Sequence, residues 1–127
     1  MTGPRIYAAD LDAALPEMLA LIERVVNIDS GSYCATGVNA VQDAFGAALR
    51  QIGFTVERQA LAGRGDQLTA TLSLGNGPRL LILGHADTVW PEGTVAEWPF
   101  GHAGDRLAGP GVGDMKANVV LAIFALG

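Results

Sequence analysis

The sequence is poor in the features that mark disulfide-stapled, membrane-spanning or nucleic-acid-binding proteins. Cys34 is the one cysteine among 127 residues, so no internal disulfide can form. That usage is compatible with a reducing, cytoplasmic compartment, which is the expected location. No run of Lys or Arg forms a basic patch, and the formal net charge is −5. Nucleic acid and anionic membrane are therefore poor partners. The longest apolar stretch, Val119 to Leu126, falls far short of the roughly 20 residues a membrane span needs. The first twenty residues carry Asp10, Asp12 and Glu17 and no apolar h-region, so no secretory signal is expected. Histidine is confined to His85 and His102, and there is no Glu-Glu pair. Internal repeats and low-complexity tracts are absent.

What is present suits a globular core of one domain. Half of the residues are hydrophobic and 17% are charged. Leu15, Met18, Leu19, Ile22, Val25 and Val26 recur at helical spacing, with Pro16 suited to a first turn and the helix stopping near Asn27. Asp29-Ser30-Gly31-Ser32 is turn chemistry. Val41, Ala44, Phe45, Ala48, Leu49 and Ile52 form one face of a second helix, with Gly53 as its C-terminal cap. Strand-like runs follow at Phe54 to Gln59 and Gln67 to Leu74. Gly75-Asn76-Gly77 then predicts a tight turn into a third run, Arg79 to Gly84. Leu80-Leu81-Ile82-Leu83 is apolar at every position, as in a strand covered on both faces. Prolines and glycines exclude a long regular element from His85 to about Gly113, and a last helix begins near Asp114 to Lys116. This order indicates a mixed α/β sandwich. The chain is expected to end in the middle of a domain, and its sheet and last helix to expose apolar surface.

Two segments carry chemistry. In Gly84-His85-Ala86-Asp87-Thr88, His85 and Asp87 lie two residues apart on an extended chain and point to one side, at the end of the apolar run. A hydrogen-bonded pair at a strand end is the competing reading. In Gly109-Pro110-Gly111-Val112-Gly113-Asp114-Met115-Lys116, alternate glycines permit sharp turns or close approach ahead of an Asp at a helix start. An ordinary Asp N-cap is one alternative. A nucleotide loop is another, and it fits poorly. Asp114 stands where the dinucleotide pattern needs glycine, and a carboxylate repels pyrophosphate.

Together, the two segments resemble the metal-binding region of the dinuclear zinc amidohydrolases. That family includes glutamate carboxypeptidase, aminoacylase, acetylornithine deacetylase and succinyl-diaminopimelate desuccinylase. Its first signature is an apolar strand followed by His-x-Asp-Thr-Val, here Leu81 to Val89; its second is Gly-x-Gly-x-x-Asp-x-Lys, here Gly109 to Lys116. Pro91-Glu92-Gly93-Thr94, Trp98-Pro99-Phe100 and Asn27 to Ser32 look most like the carboxypeptidase branch. The resemblance implies an α/β fold, a three-layer mixed-sheet sandwich of the zinc-dependent exopeptidase type. Residues 1–127 would be the N-terminal part of its catalytic domain, without the lid domain that mediates dimer contacts in many members.

It also implies two zinc ions, with His85 binding one, Asp114 bridging both, and Asp87 as the catalytic aspartate that orients His85. The Asp114–Met115 peptide would be cis. Two zincs roughly 3.5–4 Å apart polarise an amide carbonyl and activate water. The implied activity is hydrolysis of a C–N amide bond in a small peptide or N-acyl amino acid. The closest match is a carboxypeptidase releasing a glutamate-like residue, with an N-acyl-amino-acid deacylase as the alternative. The family's general base and a zinc ligand are a Glu-Glu pair, which this chain lacks, so the chain alone is expected to be inactive. A non-catalytic binding module is the reading from another class.

Smaller expectations concern single residues. His102 is expected to be a solvated loop residue and Cys34 an unreactive thiol. Trp90 and Trp98 flank the His-x-Asp loop and are expected to pack against the sheet edge, with walling of the substrate cleft as the alternative, and Lys116 is expected either to neutralise the site or to lie on the surface. Ala117-Asn118, where many relatives carry Gly-Gly, is expected to be a tolerated helix variation.

Overall fold

A computed structural model of the chain describes residues 8–127. Helix α1 spans Ala8–Val26 and α2 spans Ala35–Gln51. Strands β1 (Thr55–Gln59) and β2 (Gln67–Thr71) pair antiparallel, with Thr55 opposite Thr71 and Gln59 opposite Gln67. The short helix α3 (Thr94–Glu97) leads to a second antiparallel pair, β3 (Gly101–Ala103) and β4 (Arg106–Ala108). An irregular turn over Val112–Lys116 then opens α4, Ala117–Leu126. The fold is thus mixed helix and strand. None of the described helices is long and apolar enough to cross a membrane.

The core is the meeting of three helices. Met18, Ile22, Val25 and Val26 of α1, Val41, Ala44, Phe45 and Leu49 of α2, and Val120 and Ile123 of α4 are all buried together. Their spacings of three and four residues put each set on one helix face. The β1–β2 pair lies against this core through Val56, Leu68 and Ala70, which alternate with exposed neighbours as a half-buried strand requires. Gly53, at φ 92°, follows Ile52, the C-cap of α2, and reverses the chain in the left-handed conformation expected of a cap glycine.

Two expectations change. Pro16 lies inside α1, because the helix begins at Ala8. Ala8 to Leu15 is rich in Ala and Leu, strong helix formers. The bond Pro16 removes is to the carbonyl of Asp12, and both residues are exposed, so water can take that carbonyl. The second change is at Arg79 to Gly84, which forms no ladder with β2 and is not covered. Leu81 is 78% exposed and Leu83 79%. Among the described residues no neighbouring strand takes up its backbone groups. An all-apolar run needs cover on both faces, and the described residues do not provide it.

This exposed run has a consequence in solution. At micromolar concentration the 127-residue chain is expected to self-associate and to bind an apolar dye. Leu81→Lys combined with Leu83→Glu is expected to reduce both effects. Sedimentation of the unsubstituted chain as a single 13.1 kDa species would contradict this.

Candidate active site

The site is assembled from three segments, none of them regular secondary structure. The first is Asn27–Ser32, directly after α1. It runs alongside the second, Ala86–Thr88, through a parallel bridge between Gly31 and Thr88. Thr88 N–H donates to the Ser30 carbonyl at 2.8 Å and Ser32 N–H to the Thr88 carbonyl at 3.2 Å. Ser30 Oγ, buried, donates to the Ala86 carbonyl at 3.0 Å. His85 and Asp87 flank Ala86, so this pairing sets the height at which both side chains leave the chain.

Side chains of the same first segment hold the loop beyond. Asp29 accepts from Gly93 N–H at 2.7 Å and Val95 N–H at 3.0 Å, which satisfies free donors at the start of α3. Asn27 accepts from Phe100 N–H at 2.8 Å. The loop so held carries Trp90 and Trp98, whose rings meet edge to face with centroids 5.3 Å apart. Both line the same open cleft as His85, Asp87 and Asp114. The tryptophans therefore wall the cleft instead of packing on a sheet edge.

The third segment is the turn before α4. Gly109 and Gly111 have φ of 144° and 77°, a region other residues rarely enter. A Cβ at Gly111 would also stand 2.5 Å from Thr88 Cγ2. The turn is broken at Asp114 and Met115, whose connecting peptide is cis, as the family resemblance implies. Asn118 Nδ2 donates to the Gly113 carbonyl at 2.8 Å, so the Asn at that helix position braces the kink.

These segments converge on the imidazole of His85. Nε2 lies 2.9 Å from Asp114 Oδ1. Nδ1 lies 3.0 Å from the Asp87 carbonyl and 3.2 Å from Asp87 Oδ1. Both ring nitrogens thus face oxygen acceptors. Burial draws the imidazole pKa down, but the bond to Asp114, the backbone bond to Asp87 and the charges of both carboxylates outweigh it, and the pKa is raised. The donor chemistry fits zinc. Imidazole nitrogen and carboxylate oxygen are common zinc ligands, and Nε2 of His85 and Oδ1 of Asp114 lie side by side at 2.9 Å. Among the described residues no group of three His, Cys, Asp or Glu is placed to hold a metal ion.

No family model matches the chain. Individual proteins do. It is 34% identical to carboxypeptidase G2 of Pseudomonas sp. (strain RS-16) over 113 residues, covering 87% of this chain. Succinyl-diaminopimelate desuccinylase of Maricaulis maris (strain MCS10) is 36% identical over 124 residues, covering 92%. Acetylornithine deacetylase of Photorhabdus laumondii subsp. laumondii is 28% identical over 124 residues, covering 91%. The chain belongs to the family these enzymes represent. It spans 27%, 29% and 32% of their respective lengths.

Other members of the sequence-predicted set lie apart. His102 is exposed on β3, not in a loop, with its ring edge-to-face to Phe100 at 5.5 Å. Cys34 precedes α2 as a half-buried free thiol. Lys116 neither neutralises the carboxylates nor lies on the surface. It is fully buried, and Nζ donates to the Ile28 carbonyl at 2.7 Å. Ile28 lies just past the end of α1, where carbonyls lack intrahelical partners. Sequence reasoning missed Ser32, whose hydroxyl donates to Asp87 Oδ2. The one available signal was the density of short polar side chains from Asn27 to Ser32, more than a turn requires.

Burial lowers the Lys116 pKa to about 8, against a smaller opposing pull from Asp29. The unfolded chain keeps the ordinary value of 10.5. Below about 8 both states are protonated, and the folded state carries the full cost of a buried ammonium. Between the two values the unfolded chain binds the proton that the folded chain has lost, so stability rises with pH. Urea unfolding followed by Trp90 and Trp98 fluorescence, at dilutions where the chain is monomeric, is expected to show this rise. Lys116→Met is expected to remove it, and equal slopes in the two proteins would refute the assignment.

Proposed function

We propose that this chain is the N-terminal part of a zinc-dependent hydrolase of C–N amide bonds, and that His85, Asp87 and Asp114 are its share of the active site. The observation that carries the reading is the approach of Asp114 Oδ1 to His85 Nε2, 2.9 Å across 29 residues of sequence, with Asp87 on the opposite ring nitrogen. His85 and Asp114 would hold zinc. Zinc there would supply polarisation of the scissile carbonyl and activation of water. With zinc bound, Asp87 would keep Nδ1 of His85 in its donating form and so leave the Nε2 lone pair for the metal. Trp90 and Trp98 give the cleft an apolar wall beside the carboxylates, suited to a substrate with both an apolar and a polar part.

The remaining ligands and the general base would come from residues outside this chain, and residues 1–127 alone would be inactive. In the same proposal Arg79 to Gly84 becomes an inner strand of a three-layer mixed-sheet sandwich, and the exposed leucines become core. A lid domain and a dimer built through it, and action in the cytoplasm, belong to it too. The substrate is a small peptide with a C-terminal glutamate-like residue. The resemblance of Pro91 to Thr94 and Trp98 to Phe100 to the carboxypeptidase branch supports this, as does the identity to carboxypeptidase G2. An N-acyl amino acid is the alternative, supported by the desuccinylase and deacetylase matches.

The test is to read the coding frame beyond Gly127 and assay the encoded polypeptide on acyl-glutamate peptides and N-acyl amino acids. A Glu-Glu pair, a late His and hydrolysis abolished by chelation are the expected results. His85→Ala and Asp114→Ala are expected to reduce the rate to background, and Asp87→Asn to lower it by roughly 10–100-fold. A stop codon after Gly127 together with no hydrolysis would overturn the proposal in favour of a non-catalytic binding module.

A further inference from the structure

Asp87 is held from two sides. Oδ1 lies 3.2 Å from His85 Nδ1, and Oδ2 accepts the Ser32 hydroxyl. A carboxylate with one oxygen engaged can still swing about its Cβ–Cγ bond; engaging the second removes that freedom. Ser32 is itself fixed. Its N–H donates to the Thr88 carbonyl at 3.2 Å, beside the Gly31–Thr88 bridge, so its position is set by the same pairing that places Asp87. The close fit extends to Gly31, where a Cβ would stand 2.7 Å from the Trp90 carbonyl oxygen. A serine hydroxyl has one proton to donate, and the Asp87 carboxyl oxygen stands much nearer to Ser32 Oγ than the other acceptor in reach, the Thr88 carbonyl at 3.4 Å. A charge-assisted bond of this type is among the stronger hydrogen bonds.

We infer that Ser32 is a positioning residue for the active site: by holding Oδ2 of Asp87 it keeps Oδ1 against His85 Nδ1, and so keeps His85 Nε2 aimed at the point it shares with Asp114. Ser32, Asp87, His85 and Asp114 then form one continuous chain of polar contacts, from the end of α1 to the start of α4. The inference rests on the zinc-hydrolase reading, because it gives Ser32 a role through a metal ligand.

The experiment is a double-mutant cycle on zinc affinity, measured in the full polypeptide that carries this chain by competition with a chromophoric chelator. The four proteins are the unsubstituted one, S32A, D87N and S32A/D87N, with S32T as the conservative variant. Outer-shell partners of metal ligands typically control affinity by 10–100-fold, and S32A is expected to cost roughly tenfold. S32T is expected to restore the affinity, since it keeps the hydroxyl. In the D87N background S32A is expected to change little, because the carboxylate it acts through is gone. An equal loss in both backgrounds would mean that Ser32 only supports the local fold, and would overturn the inference while leaving the hydrolase reading intact. No loss on S32A in the Asp87 background would overturn it likewise. Absence of zinc binding by the unsubstituted protein would overturn the hydrolase reading and this inference with it.

Discussion

The pairing of Asn27–Ser32 with Ala86–Thr88 is the constraint on which the site depends. The contact is short, a single parallel bridge with a few flanking bonds. Yet the first segment also holds the start of α3 through Asp29, the chain at Phe100 through Asn27, and Asp87 through Ser32. Its Ile28 carbonyl receives Lys116 from the beginning of α4. Loops usually move more than the elements they join, and side chains that must hold a fixed geometry on loops need external bracing. Here the bracing comes from a six-residue stretch at the end of a helix that is itself buried in the core through Val25 and Val26.

The parts of the molecule legible in the sequence are those whose determinants are local. The face of α2 and the glycine that ends it follow from a 3.6-residue period and one backbone conformation, both read within a few residues. The alternation of β1 and β2 is local in the same sense. The His85–Asp114 approach is different. Twenty-nine residues separate the pair, and no periodicity connects them; only resemblance to a known motif pair did so. The Ser32–Asp87 bond spans 55 residues and the Lys116–Ile28 bond 88, and neither left a pattern that composition or spacing could reveal.

Misreadings followed the same logic. Pro16 suits a helix start because its missing N–H costs nothing there, but the propensity of the Ala-rich residues before it carries α1 back to Ala8. For Lys116, neither neutralising the site nor lying on the surface anticipates its place, because Lys seldom is fully buried and its acceptor is a carbonyl whose availability depends on where α1 ends. For Leu80 to Leu83, the apolar pattern states what the segment requires, whereas its exposure reflects what the described residues supply.

The distribution of charge around His85 follows from these placements. Asp87 and Asp114 stand at opposite nitrogens of one ring, so the imidazole separates two carboxylates that would otherwise repel each other directly. Lys116, two residues from Asp114, is the nearest cation in sequence, but it is committed to the Ile28 carbonyl and feels Asp29 instead. Among the described residues no Lys or Arg pairs with these two carboxylates, and the positive charge facing them is the proton that His85 can carry. The raised pKa of His85 is the sign of that arrangement, since the same field that holds a proton on the ring would favour any other positive charge placed there. Burying Lys116 against the end of α1 keeps the turn in place mechanically while leaving the negative potential of the cleft unneutralised. The lysine therefore stands two residues from Asp114 without pairing with its carboxylate.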